Sequence, residues 1–297
     1  MLSDSQTLQK PQWLKYKLSI NNDYSKIENA LRKRGLVTVC EEARCPNISQ
    51  CWDKEGTATF MLLGDTCTRG CKFCSIKTAM SGNPVDVQEP QKLADAIKEI
   101  ELDYAVLTVV DRDDLEDGGA NHIAKSISKI KENSKTRVEI LSGDFQGNFE
   151  QLKIVIDSNP DVFAHNVETV ERLQKKVRDL RANYKQSLKV LENAKKINPQ
   201  IITKSSLMLG LGETNIEVFQ TMVDMRKAGV DILTLGQYLQ PRNKVLPIEK
   251  YVSPNEFEEY KRMGERLGFK FVASGPFVRS SYKAGELFIQ NILDSKI

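Results

Sequence analysis

Histidine is scarce in this chain: 297 residues hold two, His122 and His165, and tryptophan also occurs only twice. Cysteine is missing from the last two-thirds, since no position after Cys74 carries one. No apolar run approaches the roughly 20 residues that span a bilayer, so no membrane is expected as a partner. Neither sign of charge is in excess, with 43 Lys and Arg against 40 Asp and Glu and a net charge of +3. That balance removes the electrostatic case for nucleic acid as a partner. Met1 to Lys10 has neither the apolar centre of a signal peptide nor the Arg-rich pattern of a transit peptide, and a soluble cytoplasmic protein is the expectation. With 40% hydrophobic and 28% charged residues the chain has material for a core, which excludes wholesale disorder.

The cysteines that are present fall in one stretch, as the triplets Cys40-x4-Cys45-x5-Cys51 and Cys67-x3-Cys71-x2-Cys74. Disulfides would tie distant segments, and a chain of this length does not need them, so clustered cysteines point to metal. A structural zinc site is usually built from two ligand pairs, which three plus three cysteines and two distant histidines fit poorly. Thiolates in threes suit an iron–sulfur cluster with one iron left open to a substrate or cofactor. A zinc loop or a ferredoxin-type cluster remains the alternative on spacing alone.

Candidate strands recur at 58–63, 104–110, 137–141, 162–166, 201–209, 231–238 and 269–273, with helical apolar spacing between them, as in Leu93, Ala96, Ile97 and Ile100. Thr214-x-x-Glu217 and Ser253-Pro254-Asn255-Glu256 read as capping boxes that start helices. Alternating strands and helices imply a parallel sheet, here an α/β partial (β/α)6-type TIM barrel over residues 57–297. Residues 1–56 are expected to form an N-terminal extension packed on it. The second cysteine triplet would then leave the carboxyl end of the first strand, where barrels carry their chemistry.

Other strand ends supply polar groups. After the second strand comes Asp111-Arg112-Asp113-Asp114-Leu115-Glu116-Asp117-Gly118-Gly119. It is either a solvated turn or a grip for ribose hydroxyls and an ammonium group, with Arg112 available to a carboxylate. Asn166 and Glu168 follow the fourth strand, where His165 reads as structural, and Glu213 follows the fifth. Arg172 to Lys185 reads as a solvated basic helix face or a surface for an acidic partner. The first triplet lacks a fourth cysteine, and a serine oxygen from the segment Ser274 to Tyr282 would be a hard, weak and therefore releasable ligand.

The second triplet with its aromatic Phe73 resembles the radical S-adenosylmethionine superfamily. Together with Cys40-Glu41-Glu42-Ala43-Arg44-Cys45-Pro46-Asn47-Ile48, the Arg112 to Gly119 loop and Arg279-Ser280-Ser281-Tyr282, it resembles the lipoyl synthase family from about Trp13 to Tyr282. The resemblance implies one 4Fe-4S cluster on Cys67, Cys71 and Cys74 that cleaves S-adenosyl-L-methionine reductively. It implies an auxiliary 4Fe-4S cluster on Cys40, Cys45, Cys51 and Ser281 that donates two sulfur atoms to the sixth and eighth carbons of an octanoyl chain. Arg279 and Ser281 would then act in catalysis, and Phe73, Asp113, Asn166, Glu168 and Glu213 would contact the cofactor. The implied partners are octanoylated lipoyl carrier domains (2-oxoacid dehydrogenase E2 or glycine cleavage H protein), a ferredoxin or flavodoxin as electron donor, and an iron–sulfur cluster carrier. Two positions depart from the family pattern: Ser206, where glycine is usual, and Val245, where histidine is common. Another radical sulfur-inserting enzyme of the biotin synthase type would lack the first triplet and the Arg-Ser-Ser-Tyr segment, and a non-enzymatic iron–sulfur carrier would hardly need a barrel of this size and would show no cofactor cleavage.

Overall fold

The computed structural model describes residues 9–15, 25–36, 38, 57–241 and 245–281. Seven strands form its main sheet: β1 (Thr57–Leu62), β2 (Tyr104–Val109), β3 (Arg137–Leu141), β4 (Val162–Ala164), β5 (Ile202–Leu209), β6 (Ile232–Gln237) and β7 (Phe271–Gly275). They lie side by side in chain order and every neighbouring pair is parallel. The connecting helices are α1 (Glu89–Ile100), α2 (Ala120–Asn133), α3 (Phe149–Asp157), α4 (Tyr184–Ile197), α5 (Asn215–Lys227) and α6 (Pro254–Arg266). Six βα units and a closing strand make a partial barrel, as the alternation of patterns predicts. Among the described residues β7 does not pair with β1, so the barrel stays open between its first and last strands.

β2 and β6 are mostly buried, largely apolar runs because both faces are covered, the outer by helices and the inner by the barrel interior. Both expected capping boxes form: Thr214 and Ser253 each accept from the backbone of a glutamate three residues on, whose carboxylate accepts in return.

Period-two alternation stacks the barrel interior in layers. Tyr104, Val106, Val162, Ile202 and Ile232 form an apolar floor at the amino ends of the strands. In register with these residues, Glu139 beside Val106 and Val162 and Lys204 beside Ile232, the Lys204 Nζ donates to both carboxylate oxygens of Glu139 at 2.9 Å, and the Tyr104 hydroxyl donates to the same carboxylate at 2.7 Å. Inward positions further along these strands, among them Thr108, Leu141, Ser206 and Gly236, border open space at the carboxyl ends.

The helix Ser25–Arg32 adds Ile27, Ala30 and Leu31 to the main core, and Thr38 bridges antiparallel to Phe60 of β1. Cys40, Cys45 and Cys51 lie outside the described residues.

Candidate active site

Chain reversal after β1 passes through Leu63 and Gly64, both at positive φ, and delivers the second cysteine triplet to the barrel mouth. The loop is closed at its base by a two-residue parallel pairing of Thr66–Cys67 with Lys77–Thr78, and the Ala79 N–H donates to the Cys67 carbonyl at 3.1 Å. Cys67, Cys71 and Cys74 line one cavity of about 270 Å³. Each sulfur accepts a backbone N–H: from Arg69 to Cys67 at 3.4 Å, from Asp179 to Cys71 at 3.4 Å and from Ile76 to Cys74 at 3.5 Å. Such contacts orient thiolate ligands and set the potential of the metal that they hold. Burial pushes the Cys67 thiol up to about 11 and the Cys71 thiol to about 12, so here a metal has to displace the thiol protons. Among the described residues no three His, Cys, Asp or Glu side chains are gathered closely enough for a single metal ion. The sulfurs instead surround a volume.

Arg69, between the first two cysteines, is 3% exposed and anchors the loop. Its Nε and Nη2 donate to the two oxygens of Asp113 at 2.8 Å each, Nη2 also reaches Asp144 at 2.7 Å, and Asp111 lies 3.7 Å from Nη1. Thr68 doubles the anchor: its N–H and hydroxyl donate to the Asp111 carbonyl at 2.8 and 2.9 Å, and its Oγ1 accepts from the Asp113 N–H at 3.0 Å. Arg112 is likewise spent, bidentate on Asp114 and donating to the Leu63 carbonyl at 3.2 Å. The acidic loop after β2 is therefore neither a solvated turn nor an open grip. Asp111, Asp113 and Asp114 meet arginines from the cysteine loop and from the loop itself before any ligand arrives, and Asp117 accepts from the Gly119 and Asn121 N–H groups at the start of α2.

The site residues expected from the sequence divide accordingly. Phe73, Asn166 and Glu168 line the cysteine cavity, and the Asn166 amide donates to Glu168 Oε1 at 3.1 Å. Burial raises the Glu168 carboxyl above its ordinary pKa. The Glu168 backbone stands at φ 69° and bridges to Leu207 of β5, which turns its side chain to the mouth. Such strain in a non-glycine residue is held by its surroundings. Arg279 and Ser281 line a second cavity of about 460 Å³ that shares Phe73, Cys74, Ile76, Asn166, Glu168 and Ser280 with the first. Ser206 borders it, and the Val245 carbonyl accepts from Gln240 at 3.0 Å in the strap above. Asp113 and Glu213 line neither cavity. Asp113 holds Arg69, and the Glu213 carboxylate accepts from the Gly210 and Leu211 N–H groups at 2.5 and 2.9 Å, closing its own turn.

Two residues of the cysteine cavity escape a reading of the sequence. Arg178, 6% exposed, donates from Nη1 to Ser187 at 2.8 Å while its Nε has no partner among the described residues. Ser142 Oγ, after β3, is equally buried and unpartnered. The expected solvated helix face at 172–185 is thus corrected. The segment is a short helix and a loop, Arg172 is paired with Glu217, Arg181 holds Asp179, and Arg178 is interior. Nothing in the sequence separates Arg178 from the surface lysines around it. An orphaned guanidinium N–H, an orphaned hydroxyl, an amide–carboxyl pair and three thiols suit a ligand bearing a carboxylate, an ammonium group and ribose hydroxyls beside a metal cluster.

His165, 4% exposed, borders the same cavity as a structural residue. The Ser142 carbonyl can only accept, so Nδ1 carries the proton, and Nε2 accepts from Ser187, whose oxygen accepts from Arg178. Burial, opposed in part by Asp144, pushes His165 down from 6.5 to about 4. Because the unfolded chain takes up this proton first, its contribution to stability is complete above pH 6.5 and is lost as pH falls towards 4, by about 3 kcal/mol. Urea unfolding of wild type and His165→Gln between pH 4 and 7 is expected to show that much growth in their difference as pH rises. Parallel profiles would refute it.

An open parallel barrel with three cysteines in C-x3-C-x2-C spacing after its first strand, lining a cavity of this polarity, defines a radical S-adenosylmethionine enzyme. A family model described as the Radical SAM superfamily matches residues 61–236. The FeFe-hydrogenase maturase HydG from Carboxydothermus hydrogenoformans shares the fold at TM-score 0.59 and 14% identity, over 90% of this chain and 78% of its own. A second model, the N-terminal domain of lipoyl synthase of the Radical SAM family, matches residues 1–45. The mitochondrial lipoyl synthase of Drosophila melanogaster is 55% identical over 99% of this chain and 79% of its own length, and that of Homo sapiens 54% over 96% and 78%.

The chain belongs to the lipoyl synthase family. It is a sulfurtransferase that uses S-adenosyl-L-methionine and two 4Fe-4S clusters and acts on octanoylated lipoyl carriers. The expected cytoplasmic location is overturned, because these relatives are named as mitochondrial proteins. Balanced charge and short apolar runs describe the surface of a domain, not its compartment.

Proposed function

We propose that Cys67, Cys71 and Cys74 hold the cluster that binds S-adenosyl-L-methionine, and that Cys40, Cys45, Cys51 and Ser281 hold the second cluster, with residues 1–56 as the extension that carries its cysteines. When bound, the first cluster supplies the electron for cofactor cleavage and the second supplies the two sulfur atoms for the octanoyl chain. The single observation that carries the division is the continuity of the two cavities. Cys74 of the second triplet and Ser281 of the terminal segment border the same space, walled by Leu207, Met208 and Leu239. An alkyl chain entering there passes from one group to the other within reach of both.

In this reading Asn166, Glu168, Arg178 and Ser142 hold the polar parts of the cofactor. Glu168 and the cavity walls keep water from the radical, and Arg279 steadies the anionic second cluster while Ser281 remains a weak, releasable ligand. The reactive carbons are unactivated, which side-chain acids and bases cannot attack, so the protein's share is to bind, aim and exclude solvent. The carriers are the E2 component of 2-oxoacid dehydrogenases or the glycine cleavage H protein. A ferredoxin or flavodoxin, acidic and opposite in charge to the exposed Lys72 of the Cys71 loop and Lys175 of the helix whose Val177 carbonyl accepts from the Lys72 N–H, delivers electrons, and an iron–sulfur carrier restores the second cluster.

Anaerobic reconstitution with iron and sulfide, followed by S-adenosylmethionine, reductant and an octanoyl-lysyl peptide, tests this by mass spectrometry. Wild type is expected to add two sulfurs to the peptide and release 5'-deoxyadenosine. Ser281→Ala is expected to keep deoxyadenosine release within about twofold and to lose at least tenfold in sulfur addition, since one cluster loses one ligand. An equal fall in both would sink the division of labour.

A further inference from the structure

Gly236 and Gly275 face one another across the β6–β7 pair, and the terminal segment crosses directly over them. Neither has a positive φ, so backbone conformation permits alanine at both, and only space distinguishes them. A Cβ on Gly236 would stand 2.1 Å from the Val278 carbonyl oxygen and 3.1 Å from its carbon, both backbone atoms, and 3.6 Å from Arg279 Nη1. A Cβ on Gly275 would meet only the Val278 side chain, at an ordinary 3.5 Å. Val278 is held in place from its own side as well: its N–H donates to the Gly275 carbonyl at 3.1 Å, and its carbonyl accepts from Arg279 Nη1 at 2.7 Å. The Val278 backbone is therefore seated in the gap left by the missing side chain of Gly236. Two residues after Arg279 comes Ser281, on the wall of the same cavity as Gly236.

We infer that Gly236 is a positioning residue: its bare backbone sets the depth at which the Val278–Ser281 segment lies on the barrel mouth, and with it the place of the serine oxygen. With any side chain at 236, the carbonyl of Val278 has to retreat by about 1 Å to reach a normal contact distance. Cluster ligation does not tolerate such a shift, because ligand distances are fixed to a few tenths of an ångström. The consequence for the cluster rests on the assignment of Ser281 as a ligand, whereas the seating of the segment does not.

Two readouts separate these parts. Gly236→Ala, Gly275→Ala and Ser281→Ala are reconstituted beside wild type, then followed by trypsin cleavage after Arg279 and by iron per chain. Gly236→Ala is expected to speed cleavage at least about fivefold, since cleavage follows the population in which the segment is lifted. It should also lose about half of the iron while deoxyadenosine release stays within twofold of wild type. Gly275→Ala should match wild type in both. Unchanged cleavage in Gly236→Ala would overturn the inference, and so would loss of all iron or a collapse of the thermal transition, because lifting the segment leaves the cysteine loop intact. Faster cleavage in Gly236→Ala with full iron in both Gly236→Ala and Ser281→Ala would uphold the seating and refute the serine ligand instead.

Discussion

Arg69→Met is expected to lower the unfolding free energy by about 3–5 kcal/mol, the cost of leaving a buried charge without its partner. That corresponds to a fall in melting temperature on the order of 10 °C. The reason is the company that Arg69 keeps: Asp144 has no exposed surface, Asp113 is bound through both oxygens, and Asp111 stands behind them. Burial already raises Asp111 to about 6, whereas Arg69 holds the Asp144 carboxyl down at about 2 against the effect of burial. Without the cation these carboxyls escape charge by taking up protons, so the deficit should be larger at pH 8 than at pH 5. The loop carrying the three cysteines loses its anchor in the same step, and reconstituted iron should fall with the melting temperature. Lysine at 69 keeps a charge but not the fork, and is expected to recover less than half of the loss. Scanning calorimetry at the two pH values, with iron analysis, decides the matter. A variant that melts within 2 °C of wild type and keeps its iron would show that Arg69 does not anchor the loop.

Lys204→Met is expected to cost a similar 3–5 kcal/mol, but with a different remedy. Lys204 and Glu139 are 2% and 0% exposed, on β5 and β3 with only β4 between them, and the Tyr104 hydroxyl completes the set. Removing the cation alone strands a carboxylate in an apolar interior. Removing both charges with side chains of similar volume, as in Lys204→Met with Glu139→Leu, replaces the pair by packing and should restore at least half of the loss. Urea unfolding of the two variants and of Glu139→Leu alone forms the cycle. A neutral single variant, or a double variant no better than the single, would mean that the ion pair is not what holds the barrel interior. Since this set lies at the floor, away from the cysteine cavity, the double variant should keep cofactor cleavage.

The reach of the sequence differs between these features. All seven strands were legible because short segments rich in apolar and β-branched residues recur with helical spacing between them. The two capping boxes were legible for a local reason: donor and acceptor lie three residues apart. The cysteine triplets pointed to metal because the number and spacing of thiolates restrict the group that can be held, and the family motifs around them narrowed a zinc loop or ferredoxin-type cluster to the radical S-adenosylmethionine type. Asp113 and Glu213 were read as cofactor contacts because a polar residue at a strand end usually faces the mouth. Each instead had a nearer partner that spacing does not reveal, Arg69 at a separation of 44 residues and the Gly210–Leu211 backbone. Arg178 was hidden among exposed basic residues, and only the path of the chain over the barrel buries it.

The sequence by itself therefore determined the layered α/β order, the thiolate chemistry and the family. Those follow from periodicity and residue identity, which are properties of short windows. Tertiary structure alone decided which charges are spent on one another and which polar atoms are left for a ligand. It also decided that Gly236 lies beneath Val278. Those outcomes depend on distances between residues that are remote in the chain and adjacent in space, and a buried charge goes to whichever partner the fold brings nearest.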